Sequence, residues 1–178
     1  LRRIGKRIVW VLEGDLFVVI HLMIAGRLRW KAKGVPVPKR GAHAAFDFPD
    51  GTLLLTEAST HKRAMLHVVR GEAGLVALDR GGIEPLDASP SAFRTALTRE
   101  SHTLKRALTD PRILSGIGNA HSDEILLEAR LSPFKRTAQL TDEEFDRLYR
   151  ATRRSLAEWI DRLLAEAGDA FPDRVTAF

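Results

Sequence analysis

Gly116-Ile117-Gly118-Asn119 runs directly into Ala120-His121-Ser122-Asp123-Glu124-Ile125-Leu126, a glycine turn that delivers an asparagine to the start of an amphipathic helix. Glycines let a backbone approach a ligand closely and adopt conformations closed to other residues. The unpaired N–H groups and positive dipole end of a helix favour an anion there. Two further groups of residues can do polar chemistry. One is the basic run Arg2-Arg3-Ile4-Gly5-Lys6-Arg7, and the other is His21-Leu22-Met23-Ile24-Ala25-Gly26, where a histidine closes an apolar stretch. A lysine on a basic strand is usually solvated, a histidine ending a strand usually structural, and a glycine turn before a helix usually only a loop. Their order along one chain is what makes them informative.

The anion these residues suit is a nucleic-acid phosphate. The net charge of +5 is concentrated, since residues 1–40 hold ten Lys/Arg against only Glu13 and Asp15. Such an excess suits a polyanion-binding face, although basic residues on a strand edge also discourage aggregation. No cysteine is present, which excludes a disulfide scaffold and any cysteine-ligated metal within these residues. Leu16–Gly26 is the most apolar run, yet it is too short for a membrane span and contains His21. No signal peptide is visible, so a cytoplasmic or otherwise intracellular protein without a membrane partner is expected. No feature suggests self-association, and a monomer is expected.

The elements that must position these residues divide in two. Residues 1–78 carry alternating or short apolar runs and predict strands, including Ile8–Leu12, Leu16–Leu22, Gly26–Trp30, Ala42–Phe48, Thr52–Thr56, Met65–Val69 and a further strand at Gly74–Leu78. Residues 79–90 read as a linker. Beyond it, helices are expected at Ser91–Arg99, Leu104–Leu108 and Asn119–Arg130, with a long one after the capping box of Thr141 and Glu144. Phe145, Leu148, Thr152, Ser155, Leu156, Trp159 and Leu163 keep one face of that last helix apolar. The expected class is α+β, with an incomplete β-sandwich-like domain over 1–86 and a helical domain over 87–178.

Taken in order, these motifs resemble the formamidopyrimidine-DNA glycosylase/endonuclease VIII family. Its pattern combines an RR-x-GK strand, an HLxMSG-like turn, an LGxEPL linker and a lysine-led helix–two-turn–helix core ending in GxGN. The linker stands here as Gly82-Ile83-Glu84-Pro85-Leu86 and the approach to the core as Leu104–Asp110. The resemblance implies a DNA glycosylase with AP lyase activity that acts on oxidised or modified bases in double-stranded DNA, or on abasic sites. The base is flipped out, and a proline amine at the N-terminus attacks the sugar and forms a Schiff base. It implies that the strand lysine Lys6 contacts phosphate and donates a proton. His21, Lys105, Gly116, Gly118, Asn119 and Arg63 are implied to contact DNA, and Glu124 to make a structural hydrogen bond.

The departures are specific. The PELPE-type start with its nucleophilic proline is not found, and an absent N-terminal stretch is expected. The zinc finger that the resemblance implies for a complete member is not found either, so no metal ligand is assigned. These residues alone are not expected to excise a base. The intercalating methionine position reads Ile24, with Met23 before it, and either is a candidate apolar wedge. The DPRRFG loop reads Glu57–Arg63, with Ser59 and Thr60 at the arginines and His61 at the phenylalanine; Lys62 and Arg63 could compensate. The tyrosine after GxGN is His121. The alternatives are a catalytically inactive relative that binds damaged DNA, an RNA-binding protein with a similar helical grip, and a globular protein whose basic face is merely solvated.

Overall fold

Strand β3 (Leu16–His21) is apolar without alternation because both of its faces are covered. The computed structural model describes residues 1–168 and 171–172. In it β3 is central to an antiparallel sheet with β1 (Arg2–Ile4), β2 (Arg7–Leu12) and β7 (Met65–Arg70), ordered β1-β2-β3-β7. A second antiparallel sheet has the order β4-β6-β5, built from β4 (Gly26–Lys31), β5 (Ala42–Phe48) and β6 (Gly51–Glu57). Val18 and Ile20 point into the space between the sheets and meet Leu55, Leu28 and Phe46. Trp10 stands edge-on to Phe46 there, with ring centroids 4.6 Å apart. Phe17 and Val19 point the other way and join Val9 and Leu75. The β-sandwich-like reading is therefore met by two facing sheets.

The strand expected at Gly74–Leu78 is instead the helix α1 (Gly71–Val76). Leu75 is its only buried residue, and its docking on Val9, Phe17 and Val19 decides the conformation. Gly74 is required by that docking, since a Cβ there would lie 2.9 Å from the Val69 Cβ. A second correction concerns Lys6. It lies in the two-residue turn Gly5-Lys6 between β1 and β2, where Ile4 pairs with Arg7, and not on a strand. A glycine at the first turn position favours such a tight hairpin.

The helical part follows the local capping signals closely. Ser89 caps α2 (Pro90–Thr98) by accepting from the Ala92 N–H, and Pro90 takes the first helical position, where its missing N–H costs nothing. Thr103 caps α3 (Leu104–Thr109), and the Thr141/Glu144 box caps α5 (Asp142–Ala167). Between them, α4 (Asn119–Ala129) ends on Arg130 in the left-handed region. One core of Phe93, Leu97, Leu104, Leu108, Leu114, Ile117, Ile125, Phe145 and Leu148 unites these helices.

The segment read as a linker is docked. Gly82 and Ile83 donate to the Pro111 and Ile113 carbonyls, both at 3.1 Å, and Ser115 donates back to Ile83 at 2.8 Å. Arg3 meets Glu84 at 2.6 Å, so the strand part is tied to the same segment.

Candidate nucleic-acid interface

The register of the first sheet builds one wall of a cleft. Arg7 pairs with His21, and His21 pairs with Met65, so three side-chain positions line up across β2, β3 and β7. The Gly5-Lys6 turn overhangs this row. Opposite lie Asp110, Pro111, Arg112, Ser115 and Gly116 from the loop between α3 and α4, enclosing about 490 Å³. Asp79 and Arg80 complete the rim.

The two halves of the molecule meet at the glycine turn. The Lys6 ammonium donates to the Ile117 carbonyl at 3.2 Å, across 111 residues of sequence. Its pKa is lowered first by burial and then by the neighbouring Arg7. Gly116 has φ +85, a conformation that favours glycine, and a Cβ there would come 3.4 Å from Arg3 Nη1. Gly118 differs, because its φ of −106 suits any residue and a Cβ would only reach 3.7 Å from Lys6 Nζ.

Gly118 is the N-cap residue of α4, so Asn119 does not cap its helix through its side chain. Asn119 is the first helical residue and is exposed. Its side chain has no hydrogen-bond partner among the described residues, and its carbonyl receives Lys105 Nζ at 2.7 Å and Ser122 Oγ at 2.6 Å. Lys105 is further paired with Asp123 at 2.6 Å, so this lysine braces the start of α4. The N–H groups of the first helical turn have no carbonyl one turn back to accept them. The open amides and dipole end of α4 and the exposed Asn119 thus follow directly on the Ile117 carbonyl that the Lys6 ammonium holds.

His21 also lines the cleft. Its Nδ1 is buried with no partner among the described residues. Burial, then Arg7, Lys6 and His67, hold its pKa below the ordinary histidine range. On the far wall Arg112 holds Asp110 at 2.6 Å, and this hydrogen bond pulls the Asp110 pKa down to about 2.

The two sheet-crossing connections stand side by side. Gly26 pairs with Glu57 and His21 with Met65, so the turn at 22–25 and the loop at 58–64 leave the sandwich at one end. Met23 has φ +54, is 39% exposed and lines the cleft; Ile24 at the tip is 80% exposed. In the neighbouring loop His61 and Arg63 are exposed. Lys62 is turned inward onto the Glu57 carbonyl, which leaves Arg63 as the cation that could replace the expected arginines. Glu124 accepts a hydrogen bond from the Trp159 indole, in agreement with a structural role, and His121 stands edge-on to the same ring at 5.7 Å. Glu57 escaped sequence reasoning altogether. The one available signal was an acidic residue ending an apolar strand.

Residues 82–165 match the formamidopyrimidine-DNA glycosylase H2TH domain. A formamidopyrimidine-DNA glycosylase of Heliobacterium modesticaldum is 38% identical over 98% of this chain and 64% of its own length. That of Thermus thermophilus is 38% identical over 89% of this chain and 58% of its own. The chain therefore spans about three fifths of the curated relatives it matches. Among solved structures, the Thermus thermophilus MutM (FPG) protein has a TM-score of 0.76 at 34% identity, covering 90% of this chain and 59% of that one. Lactococcus lactis FPG (MutM), in complex with DNA containing FAPY-dG, has a TM-score of 0.80 at 25% identity, covering 90% of this chain and 61% of that one.

Proposed function

The chain belongs to the formamidopyrimidine-DNA glycosylase family, and we propose that it forms the DNA-gripping part of a glycosylase with AP lyase activity. Its partner is double-stranded DNA carrying an oxidised or modified base, or an abasic site. One observation carries this reading. Lys6 from the strand part meets the glycine turn of the helical part, beside an exposed Asn119 whose side chain has no hydrogen-bond partner among the described residues.

A phosphate at that spot would be held by the Asn119 carboxamide, the α4 amides and the Lys6 ammonium. His21 supplies a further donor within the cleft. Flipping the nucleotide exposes the sugar carbon and base edges that stacking hides. Ile24, at the tip of its turn, is the wedge that would fill the vacated stack, while Met23 lines the cleft wall. His61 and Arg63 extend from the adjoining loop toward the same gap. A lysine whose pKa is depressed gives up its proton more easily at neutral pH, which suits Lys6 to protonate a leaving group during strand cleavage.

The chemical step calls for an amine that displaces the base at the sugar carbon and holds the opened sugar as an iminium. The family resemblance gives that task to an N-terminal proline, and none of these residues is assigned it. Zinc is likewise assigned no site. The sequence has no cysteine, and no cluster of three His, Asp or Glu suits a metal among the described residues. Within the family, the alternative is a relative that binds damaged DNA without excising a base. Borohydride trapping of the complete protein on abasic-site DNA separates the two, because only an amine nucleophile leaves a reducible covalent adduct.

The grip itself is tested by Asn119→Ala. Losing a hydrogen bond to a charged phosphate weakens binding about 10- to 100-fold. The loss is expected on damaged and intact duplexes alike, with affinity falling steeply as salt rises. An unchanged dissociation constant, or a flat salt dependence in the wild type, refutes the assignment.

A further inference from the structure

The side chain of Glu57 closes β6 as a carboxylate that is only 1% exposed. A buried carboxylate is unfavourable unless its oxygens are satisfied. Here both are. The Arg63 N–H donates at 3.0 and 3.1 Å, the Ala64 N–H at 3.3 Å to each oxygen, and His43 Nε2 lies 3.2 Å from Oε2. The Arg63 N–H lowers the carboxyl pKa most, against burial that raises it. The Lys62 ammonium donates to the Glu57 carbonyl, and the Glu57 N–H donates to the Gly41 carbonyl at 2.8 Å.

The chain therefore leaves Glu57, makes an excursion through Ser59 and the exposed Thr60 and His61, and returns at Arg63 and Ala64 to the same carboxylate. Two successive backbone amides on one anion fix the direction in which the chain re-enters β7. The Arg63 guanidinium and the His61 ring make no hydrogen bond among the described residues. Their placement beside the Ile24 turn follows from where the loop begins and ends, and Glu57 sets both points. Its buried carboxylate lies beneath the loop and is shielded from any DNA the loop would touch.

We propose that Glu57 is a positioning residue for damage recognition. By holding both ends of the 58–64 loop on one buried carboxylate, it presents Arg63 and His61 to the strand gap beside Ile24. This rests on the DNA-binding reading above.

The test uses Glu57→Gln in the complete protein, which keeps the side-chain shape but turns one acceptor into a donor facing N–H groups. Trypsin cleavage after Lys62 and Arg63 is compared with cleavage at other basic sites, followed by mass. Affinity is measured for an abasic-site duplex and for an intact one. Cleavage in the loop is expected to rise about tenfold with other sites unchanged, and the preference for the abasic duplex to fall about tenfold while intact-duplex affinity holds. Arg63→Ala should lower that preference in the wild-type background and add nothing in the Glu57→Gln background, the signature of one residue acting through another. Glu57→Asp should restore part of the preference.

Wild-type loop cleavage and preference in Glu57→Gln would overturn the proposal, as would a full Arg63→Ala effect persisting in that background. Should Glu57→Gln not fold, His43→Gln removes a single partner of the carboxylate from its exposed side. It should give the same pattern more weakly, and an unaltered loop and preference there would equally overturn the proposal. A wild-type protein that binds neither duplex would sink the DNA-binding reading instead, and the trypsin comparison would still decide whether Glu57 holds the loop.

Discussion

Lys6 and Asn119 are polar residues with unequal structural duties, and that inequality makes them separable in experiment. Lys6 spends its ammonium on one carbonyl, whereas the Asn119 side chain holds nothing in the described protein. Replacing Lys6 by alanine removes a hydrogen bond of about 1 kcal/mol and a cation from the cleft. The expected outcome is a loss of stability no larger than about 1 kcal/mol, a salt slope for DNA binding reduced by about one, and strand cleavage slowed far more than either change explains. Denaturant melts, salt titrations and single-turnover cleavage by the complete protein read the three quantities. Normal cleavage in the variant would remove Lys6 from the mechanism and leave it a phosphate contact.

At the scale of elements, the two glycines of the turn make opposite predictions. Gly116 needs its left-handed backbone, so Gly116→Ala should cost about 1–2 kcal/mol of stability in a thermal or denaturant melt. Gly118 has an ordinary backbone, and Gly118→Ala should leave stability within about 0.5 kcal/mol. Its new methyl would instead stand beside Lys6 where the phosphate is proposed to sit, and DNA affinity should fall. Equal effects of the two variants on melting would show that the turn is not built as described. The same contrast marks what the sequence could reveal. The Ser89–Pro90 start falls within residues that read as a linker, whereas the Thr141–Glu144 start is a local code and was legible in it. Helix α1 was not, because a six-residue segment containing Gly74 takes its conformation from Leu75 docking on a distant sheet. Nor was the Glu57 clamp, since an acid at a strand end reads as solvated until the returning amides of Arg63 and Ala64 are seen. That the Asn119 side chain does not cap α4 became visible only once Gly118 proved to hold that position.

At the scale of the whole molecule, the cleft belongs to neither half, and its charge would couple the proposed phosphate binding to proton uptake. Arg7, Lys6 and His67 face His21 from β2, the hairpin turn and β7, and together with burial they keep its imidazole neutral. In the free protein the folded pKa lies below the unfolded one. His21 therefore contributes stability that is fully present above the unfolded value and lost as pH falls toward the folded value. A phosphate in the cleft opposes the positive Arg7 and Lys6 and raises the His21 pKa. Binding then takes up a proton, and affinity should rise as pH falls through the value in the complex, by about tenfold for each unit separating the bound and free values. Dissociation constants measured between about pH 5.5 and about pH 8 at fixed ionic strength should show this rise in the wild type. His21→Asn should flatten it, leaving only the contribution of the other histidines. Parallel profiles for the two proteins would place the phosphate away from His21 and confine the grip to Lys6 and the start of α4.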